Sequence, residues 1–262
     1  MGEFEIDEAS ICSECGSPSH AGHMQTCSRG FLVEEALRDT DEERKFFELY
    51  RKEHGYTKPY NESIEPHLFV IQDMDKEVIA GEVVEIQQAE QDKEKKKAYF
   101  RMKVVAPSHR NKGLMERIEK VAIQAAIEAG CDEAWAVAGS GDPKAMRSLI
   151  KSGFLILGRA RKIMREKNAQ EDEYYFSRDL TTEPRAVSSV EAMNAPVVQD
   201  ISDLGGETLL IPYQHETLTD AALSQGYIGK QLFLPKDWPA TAELGEVFQK
   251  ETLYFEKIQT KE

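Results

Sequence analysis

Apolar and polar residues in the middle of the chain follow two different periods. Three segments, 68–71, 78–87 and 99–106, are dense in β-branched, aliphatic and aromatic residues, which is typical of strands. The next segment, 113–129, repeats its apolar residues every three or four positions and is followed by Gly130, a natural helix C-cap. The pattern predicts three successive strands and then one amphipathic helix.

Two helices are predicted ahead of these strands, over residues 31–38 and 41–54. The second is opened by Thr40, with Glu43 three residues later. This is the spacing of a capping box, in which side-chain oxygens satisfy free amides at the start of a helix. The first part of the chain is therefore expected to place helices beside the sheet.

Alternating elements continue after the amphipathic helix. Residues 134–138 form an apolar run of strand length, which favours a strand inside the sheet. Asp142 followed by proline predicts the N-cap of another helix, which Gly153 ends. Residues 154–163 and 174–180 are then expected to be paired strands.

The pattern loosens from residue 181 onward, where prolines break the chain into short pieces. Residues 253–258 have the character of a closing strand, and residues 221–227 faintly resemble residues 149–154. A resemblance this short is more often chance than duplication. We predict three parts: a metal-binding segment over 1–30, a main domain over 31–180, and a C-terminal extension of unknown role over 181–262.

Composition narrows the functional classes. The chain has 262 residues, 40% of them hydrophobic, which is enough for one full domain with smaller attachments. Its net charge of −14 disfavours indiscriminate binding to nucleic acid or to anionic membranes. The sequence contains neither a secretory signal nor a membrane-spanning run, so we expect a cytoplasmic protein.

Cysteine and histidine are concentrated near the N-terminus. The five candidate ligands are Cys12, Cys15, His20, His23 and Cys27. Three thiolates and one imidazole would hold a structural Zn²⁺ tetrahedrally, with either histidine as the fourth ligand. The opening Cys-x2-Cys-x4-His resembles a retroviral-type zinc knuckle, but the acidic flanks favour protein docking or stapling of the terminus over nucleic-acid binding. The alternative to a zinc site is that the three cysteines are reactive surface thiols and that the two histidines lie near them by chance.

The connection between the third strand and the amphipathic helix has the form of an anion site. Residues 108–115 read Ser-His-Arg-Asn-Lys-Gly-Leu-Met, so a glycine-containing basic turn leads into a helix N-terminus. Backbone amides and the helix dipole favour a pyrophosphate there. A plain strand–loop–helix crossover explains the fold signal equally well.

The order of elements, together with two motifs, resembles the GNAT superfamily of N-acetyltransferases over about residues 31–180. The family's cofactor loop follows Gln/Arg-x-x-Gly-x-Gly/Ala, which this chain matches at Arg110 and Gly113, whereas Met115 replaces the small final residue. Residues 142–154 resemble the family's Asn-x-x-Ala…Tyr-Glu-Lys-Leu-Gly-Phe segment. The resemblance implies an α+β fold, a three-layer arrangement around a mixed central sheet.

The resemblance also implies acetyl-CoA as co-substrate. Amides of the third strand would bind the pantetheine arm and polarise the thioester carbonyl, and the loop would hold the pyrophosphate. The cofactor-binding positions are then Val104, Val105, Ala106, Arg110, Asn111, Lys112, Gly113, Leu114, Met115 and Asp142.

Catalysis would be direct attack by a neutral amine of a small molecule or protein. Glu82 or Glu85 is the candidate base, although either could instead be a solvated sheet residue. The tyrosine that acts as general acid in the family corresponds to Leu149 or Ile150 here. Tyr174, Tyr175 and Ser140 are the candidate substitutes. Cys131 is expected to be a small core residue.

The alternative is an inactive GNAT-like protein that uses its two ends to contact partners. A homo-oligomer formed by strand exchange through the C-terminal part is compatible with either function.

Overall fold

The computed structural model of the chain describes residues 32–55, 66–88, 95–139, 142–164, 169–239 and 246–258. These residues belong to two compact units, residues 1–132 and residues 133–262. The five candidate zinc ligands all lie outside the described residues. No helix in the described part of the chain is long and apolar enough to span a membrane.

The first unit is an antiparallel sheet with a helix on each face. Its strands lie in the order β1-β2-β3-β4. The elements are β1 (Val33–Ala36), α1 (Asp41–His54), β2 (Pro66–Gln72), β3 (Val78–Gln88), β4 (Lys96–Val105) and α2 (Leu114–Glu128). Both helices pack on the strands β2, β3 and β4.

Helix α1 forms as its sequence predicts. The Thr40 hydroxyl accepts the Glu43 amide at 3.4 Å, and the Glu43 carboxylate accepts the Asp39 amide at 2.7 Å. Phe46 and Tyr50 on its inner face pack on apolar residues of β2, β3 and β4. Capping and burial of one face therefore specify this helix together.

The helix predicted over residues 31–38 is wrong. Val33–Ala36 is instead strand β1, paired antiparallel with residues 68–71 of β2. A helix as short as residues 31–38 is marginal on its own, whereas pairing with β2 satisfies the backbone groups of these residues. A distant contact along the chain decides this element.

The second unit is a six-stranded antiparallel sheet in the order β5-β7-β6-β9-β10-β8. Its first elements are β5 (Cys131–Gly139, which begins just before the unit boundary), α3 (Pro143–Lys151), β6 (Leu155–Met164) and β7 (Ala169–Asp179). The rest are α4 (Ser189–Ala192), β8 (Thr208–Pro212), α5 (Glu216–Ser224), β9 (Tyr227–Phe233) and β10 (Thr252–Lys257). The described part of residues 181–262 thus has more regular secondary structure than the loosened sequence pattern predicts.

The second unit contains the same arrangement twice. In the first module, β5–α3–β6–β7, strand β7 lies between β5 and β6, the strands that precede and follow the helix. In the second module, β8–α5–β9–β10, strand β10 lies between β8 and β9 in the same way. In both modules a left-handed glycine separates helix from strand, Gly153 at φ 83° and Gly226 at φ 83°. The faint resemblance in the sequence therefore falls on structurally equivalent positions.

The two modules join edge to edge. β6 pairs with β9 at Ile156 and Gly229. A Cβ added to Gly229 would lie 3.0 Å from the Ile156 side chain. At the far end of the sheet, the Val198 amide donates to the Leu210 carbonyl at 2.9 Å, and the Leu210 amide donates to the Pro196 carbonyl at 2.8 Å. A short parallel segment therefore covers the outer edge of β8.

Candidate functional site

Strand β4 carries an irregularity beside its neighbour β3. The pairing register shifts between Gly81 and Val83, and Met102 on β4 has φ of 51°. Two residues of β4 thus oppose one of β3, which is a β-bulge. The bulge turns the Lys103 side chain toward helix α2, where it meets a carboxylate.

The three residues that follow the bulge, Val104 and Val105 of β4 and Ala106 just after it, differ in where their amides point. The Ala106 amide donates to the Ile79 carbonyl of β3 at 2.8 Å, so it is already hydrogen-bonded within the protein. Amides alternate in direction along an antiparallel strand. The Val105 amide is therefore directed away from β3, and of these three it has the orientation that a ligand outside the β3–β4 ladder requires.

The loop after β4 has the backbone shape expected of an anion site. A short 3-10 turn at Pro107–His109 is followed by Asn111 and Gly113, both left-handed, at φ 62° and φ 71°. Gly113 is the N-cap of α2 and provides no side-chain cap for the first-turn amides. An anion would accept hydrogen bonds from those amides and would be stabilised by the helix dipole.

The backbone conformation at Gly113 favours glycine, because its positive φ is strained for a residue with a Cβ. A Cβ added there would have nothing within 4 Å. The space above the glycine is therefore open, so another molecule can approach the backbone. Leu114, the next residue, is 2% exposed and anchors the loop in the core.

The Arg110 side chain is used within the protein. Its Nε donates to the Val105 carbonyl at 3.2 Å, and its Nη2 lies 2.6 Å from Oε2 of Glu53 on α1. The arginine that matches the family pattern thus fastens the loop to β4 and α1. Lys112 is exposed, and Met115 is half-buried.

Glu82 and Glu85 on β3 are both buried, at 0% and 1% exposure, so the solvated-residue alternative is wrong. Glu82 Oε1 lies 2.9 Å from Lys103 Nζ. The same ammonium group contacts Glu119, a fully buried residue of α2. Glu85 lies 3.4 Å from Arg101 and accepts a hydrogen bond from Gln87 at 3.2 Å.

Burial changes the proton affinity of this cluster. It raises the pKa of Glu82 to about 8, against the effect of the Lys103 charge and with a further contribution from Glu119. Burial acts to lower the pKa of Lys103, but Glu119 and Glu82 outweigh it and raise that pKa. Near neutral pH the lysine is therefore charged, and Glu82 is close to its titration point.

The second unit places its candidate residues differently. Asp142 caps α3, accepting the Ala145 amide at 3.0 Å, which confirms the predicted helix start. Leu149 and Ile150 are core residues at 1% and 4% exposure, where no side chain can donate a proton. Ser140 lies outside the described residues.

The two tyrosines proposed as acids are not equivalent. Tyr174 is 1% exposed, and burial raises its pKa to about 12. Its ring lies under Arg159, which is ion-paired to two carboxylates of α5, so this tyrosine is a packed core residue. Tyr175 is 36% exposed on the opposite face of β7.

The remaining candidates are a thiol and the metal ligands. Cys131 is buried, and burial raises the pKa of its thiol, as expected for a core residue. Within the residues that the structure describes, no group of three or more His, Cys, Asp or Glu side chains could hold a metal ion.

Residues 33–154 match the model of the acetyltransferase (GNAT) family. This match confirms the expected fold, a largely antiparallel mixed sheet flanked by helices. The matched residues include β3, β4, the loop and α2, which carry the buried carboxylates and the left-handed glycine. No curated protein sequence matches the chain.

Solved structures that match part of the chain include several acetyltransferases. An N-acetyltransferase from Staphylococcus aureus is 14% identical, with a TM-score of 0.46, over 58% of this chain and 99% of its own. The spermidine N-acetyltransferase from Vibrio cholerae, in complex with CoA and spermine, is 17% identical (TM-score 0.47; 58% and 96% covered). The ribosomal-protein-S5-alanine acetyltransferase from Vibrio fischeri is 16% identical (TM-score 0.48; 60% and 96% covered).

Proposed function

From the GNAT-family acetyltransferase domain in residues 33–154, we propose that this protein transfers the acetyl group of acetyl-CoA to an amine of a small molecule or protein. One observation carries the proposal: a left-handed glycine with open space above it begins helix α2 at the end of the loop that follows strand β4. This is the geometry that accepts a pyrophosphate on backbone amides.

The residues of the first unit fit acetyl-CoA. The first-turn amides of α2 and the exposed Lys112 supply positive potential for the pyrophosphate. The Val105 amide, directed away from β3, can polarise the thioester carbonyl and stabilise the oxyanion that forms on attack. Arg110 supports both by holding the loop against Val105 and Glu53.

The proposed reaction is a direct transfer. The amine nitrogen attacks the thioester carbon, the new C–N bond forms, and the C–S bond breaks to release the CoA thiolate. The proton lost by the attacking nitrogen goes to a carboxylate, for which Glu82 is our first candidate and Glu85 the second. A pKa near 8 suits Glu82 to a base that works close to neutral pH.

A second candidate function follows from Leu149 and Ile150. These buried aliphatic residues stand where the family resemblance places a tyrosine acid, so nothing there can protonate the thiolate. An inactive protein that binds acetyl-CoA and contacts partners would tolerate this change. An active enzyme also tolerates it if the thiolate leaves unprotonated.

Calorimetry with acetyl-CoA tests the proposed function first. We expect a Kd within about 1 µM to 1 mM, the usual range for enzyme substrates. Absence of binding at about 1 mM acetyl-CoA would overturn the cofactor assignment. Release of free thiol is then measured with a panel of polyamines, amino acids, aminoglycosides and peptides. Thiol release with any of them shows transfer, whereas its absence with all of them leaves binding alone.

We propose separately that Cys12, Cys15, Cys27 and one of His20 or His23 bind a structural Zn²⁺. The support is the ligand density of residues 12–27, since closely spaced cysteines and histidines in a segment with few apolar residues are typical of structural zinc sites. Metal analysis of the purified protein should find about one Zn²⁺ per chain, and the double variant Cys12→Ser/Cys15→Ser should lose it. Full zinc retention in that variant would reject the site, and Cys131→Ser is the matched control.

A further inference from the structure

Three charged groups from three elements meet in the interior of the first unit. Glu82 of β3 and Glu119 of α2 are each fully buried, and both contact the ammonium of Lys103 on β4. The Lys103 side chain is 16% exposed. A buried charge is stable only when an opposite charge pairs with it. The single ammonium of Lys103 therefore limits how many of these carboxylates can be ionised.

We propose that Lys103 and Glu119 are positioning residues that set the proton affinity of Glu82, with opposite effects. The inference deepens the proposed function, since it rests on Glu82 as the base. Lys103 favours the ionised carboxylate of Glu82, whereas Glu119 opposes it.

The charge balance explains why the cluster suits a proton acceptor. When Glu82 is ionised, two carboxylates and one ammonium leave one negative charge in the interior. When Glu82 takes a proton, the Lys103–Glu119 ion pair remains and the cluster becomes neutral. Proton transfer from the attacking amine to Glu82 therefore removes an unbalanced buried charge at the step where a base is needed.

The other elements around Glu82 contribute little charge. Its partner across the ladder on β2 is Phe69. Helix α1 covers the opposite face, where Phe46 contacts Gly81, and its His54 ring is hydrogen-bonded to the Lys103 carbonyl at 3.2 Å. Within the described residues, the charges that act on Glu82 are those of Lys103 and Glu119.

The two partners can be removed one at a time. In Glu119→Gln, Glu82 faces only the lysine, so its pKa falls. In Lys103→Met, two buried carboxylates lose their shared cation, so the pKa of Glu82 rises. We expect each shift to be about one to three pH units, the usual effect of one nearby charge.

Two measurements report these shifts independently of each other. The first is an NMR titration of the full-length protein with isotope-labelled glutamate carboxyls, in which the Glu82 signal is identified by its loss in Glu82→Gln. The second is the pH profile of kcat/KM, whose lower limb should move down in Glu119→Gln and up in Lys103→Met. Lys103→Arg should restore the wild-type midpoint, because the cation is retained.

Lys45→Met is the matched control. The Lys45 side chain is also 16% exposed and also binds two carboxylates, Asp41 at 3.1 Å and Glu77 at 3.2 Å. This variant should leave the Glu82 midpoint unchanged. If Lys103→Met does not fold, Glu119→Gln still tests the proposal, because a merely structural role gives no downward shift.

The outcomes separate this inference from the proposed function. An unchanged NMR midpoint in Glu119→Gln would overturn the inference even if the enzyme is active. Opposite NMR shifts in a protein without transferase activity would uphold the tuning of Glu82 and reject its role as base.

Discussion

Replacing Glu82 by glutamine is expected to lower kcat about 100-fold while leaving the Kd for acetyl-CoA unchanged. The amide has almost the same shape as the carboxylate but cannot accept the proton of the attacking amine. Steady-state release of free thiol with the best acceptor measures kcat, and calorimetry measures the Kd. Glu85→Gln and the double variant complete the series, and wild-type turnover in the double variant would remove both carboxylates as bases.

Stability measurements on Glu82→Gln show whether lost turnover reflects lost folding. Because the pKa of Glu82 rises from an ordinary 4.5 to about 8, the folded protein holds a proton that the unfolded chain has released between these values. Wild-type stability should therefore fall with rising pH across this window, by at most about 1.4 kcal/mol per pH unit. Glutamine carries no such proton, so the variant should be at least as stable as wild type above about pH 8. A lower melting temperature of the variant at alkaline pH would contradict the buried-carboxylate explanation.

Gly113→Ala is expected to weaken acetyl-CoA binding about tenfold or more, equivalent to at least about 1.4 kcal/mol. The added Cβ strains a left-handed backbone and fills the open space through which a pyrophosphate would reach the amides of α2. Calorimetry on the folded variant measures the loss. The strain alone should lower the free energy of unfolding by about 1 kcal/mol.

Gly130→Ala separates strain from ligand contact. Gly130 follows the other end of α2, at φ 80°, and an added Cβ there also has nothing within 4 Å. The two variants should lose similar stability, but only Gly113→Ala should lose affinity. Equal affinity in both variants would show that the loop does not contact the cofactor.

The sequence predicts the elements that local signals specify. Thr40 with Glu43, and Asp142 with its following proline, mark helix starts that the structure confirms. A glycine in the turn between strand and helix is also predicted, although the structure makes Gly113 the N-cap of α2 and not its first residue. These features depend on a few neighbouring residues, which is why a pattern can find them.

Features that depend on distant contacts could not be predicted in the same way. Strand β1 exists because residues 68–71 pair with it, and the bulge at Met102 is not marked by glycine or proline. The bond from the Ala106 amide to Ile79 depends on the register of β3 and β4, which the sequence alone leaves open.

The sequence predicts part of the candidate site. It places the carboxylates Glu82 and Glu85 on the strand before the cofactor strand, but it does not reveal their burial or the contact of Glu82 with Lys103. The position of Glu119 in the sequence does indicate that its side chain is buried. It lies four residues after Met115 and three before Ala122, on the stripe of α2 that faces the core. A charge at such a position requires a buried partner.

The paired modules of the second unit have a consequence for self-association. Exposed strand edges are the usual starting points for aggregation and for strand exchange between molecules. In this unit β6 is already bonded to β9, and the outer edge of β8 is bonded to residues 196–198. Two copies could add strands to one another at these edges only after breaking bonds within each chain, so the C-terminal module protects the sheet from intermolecular pairing there.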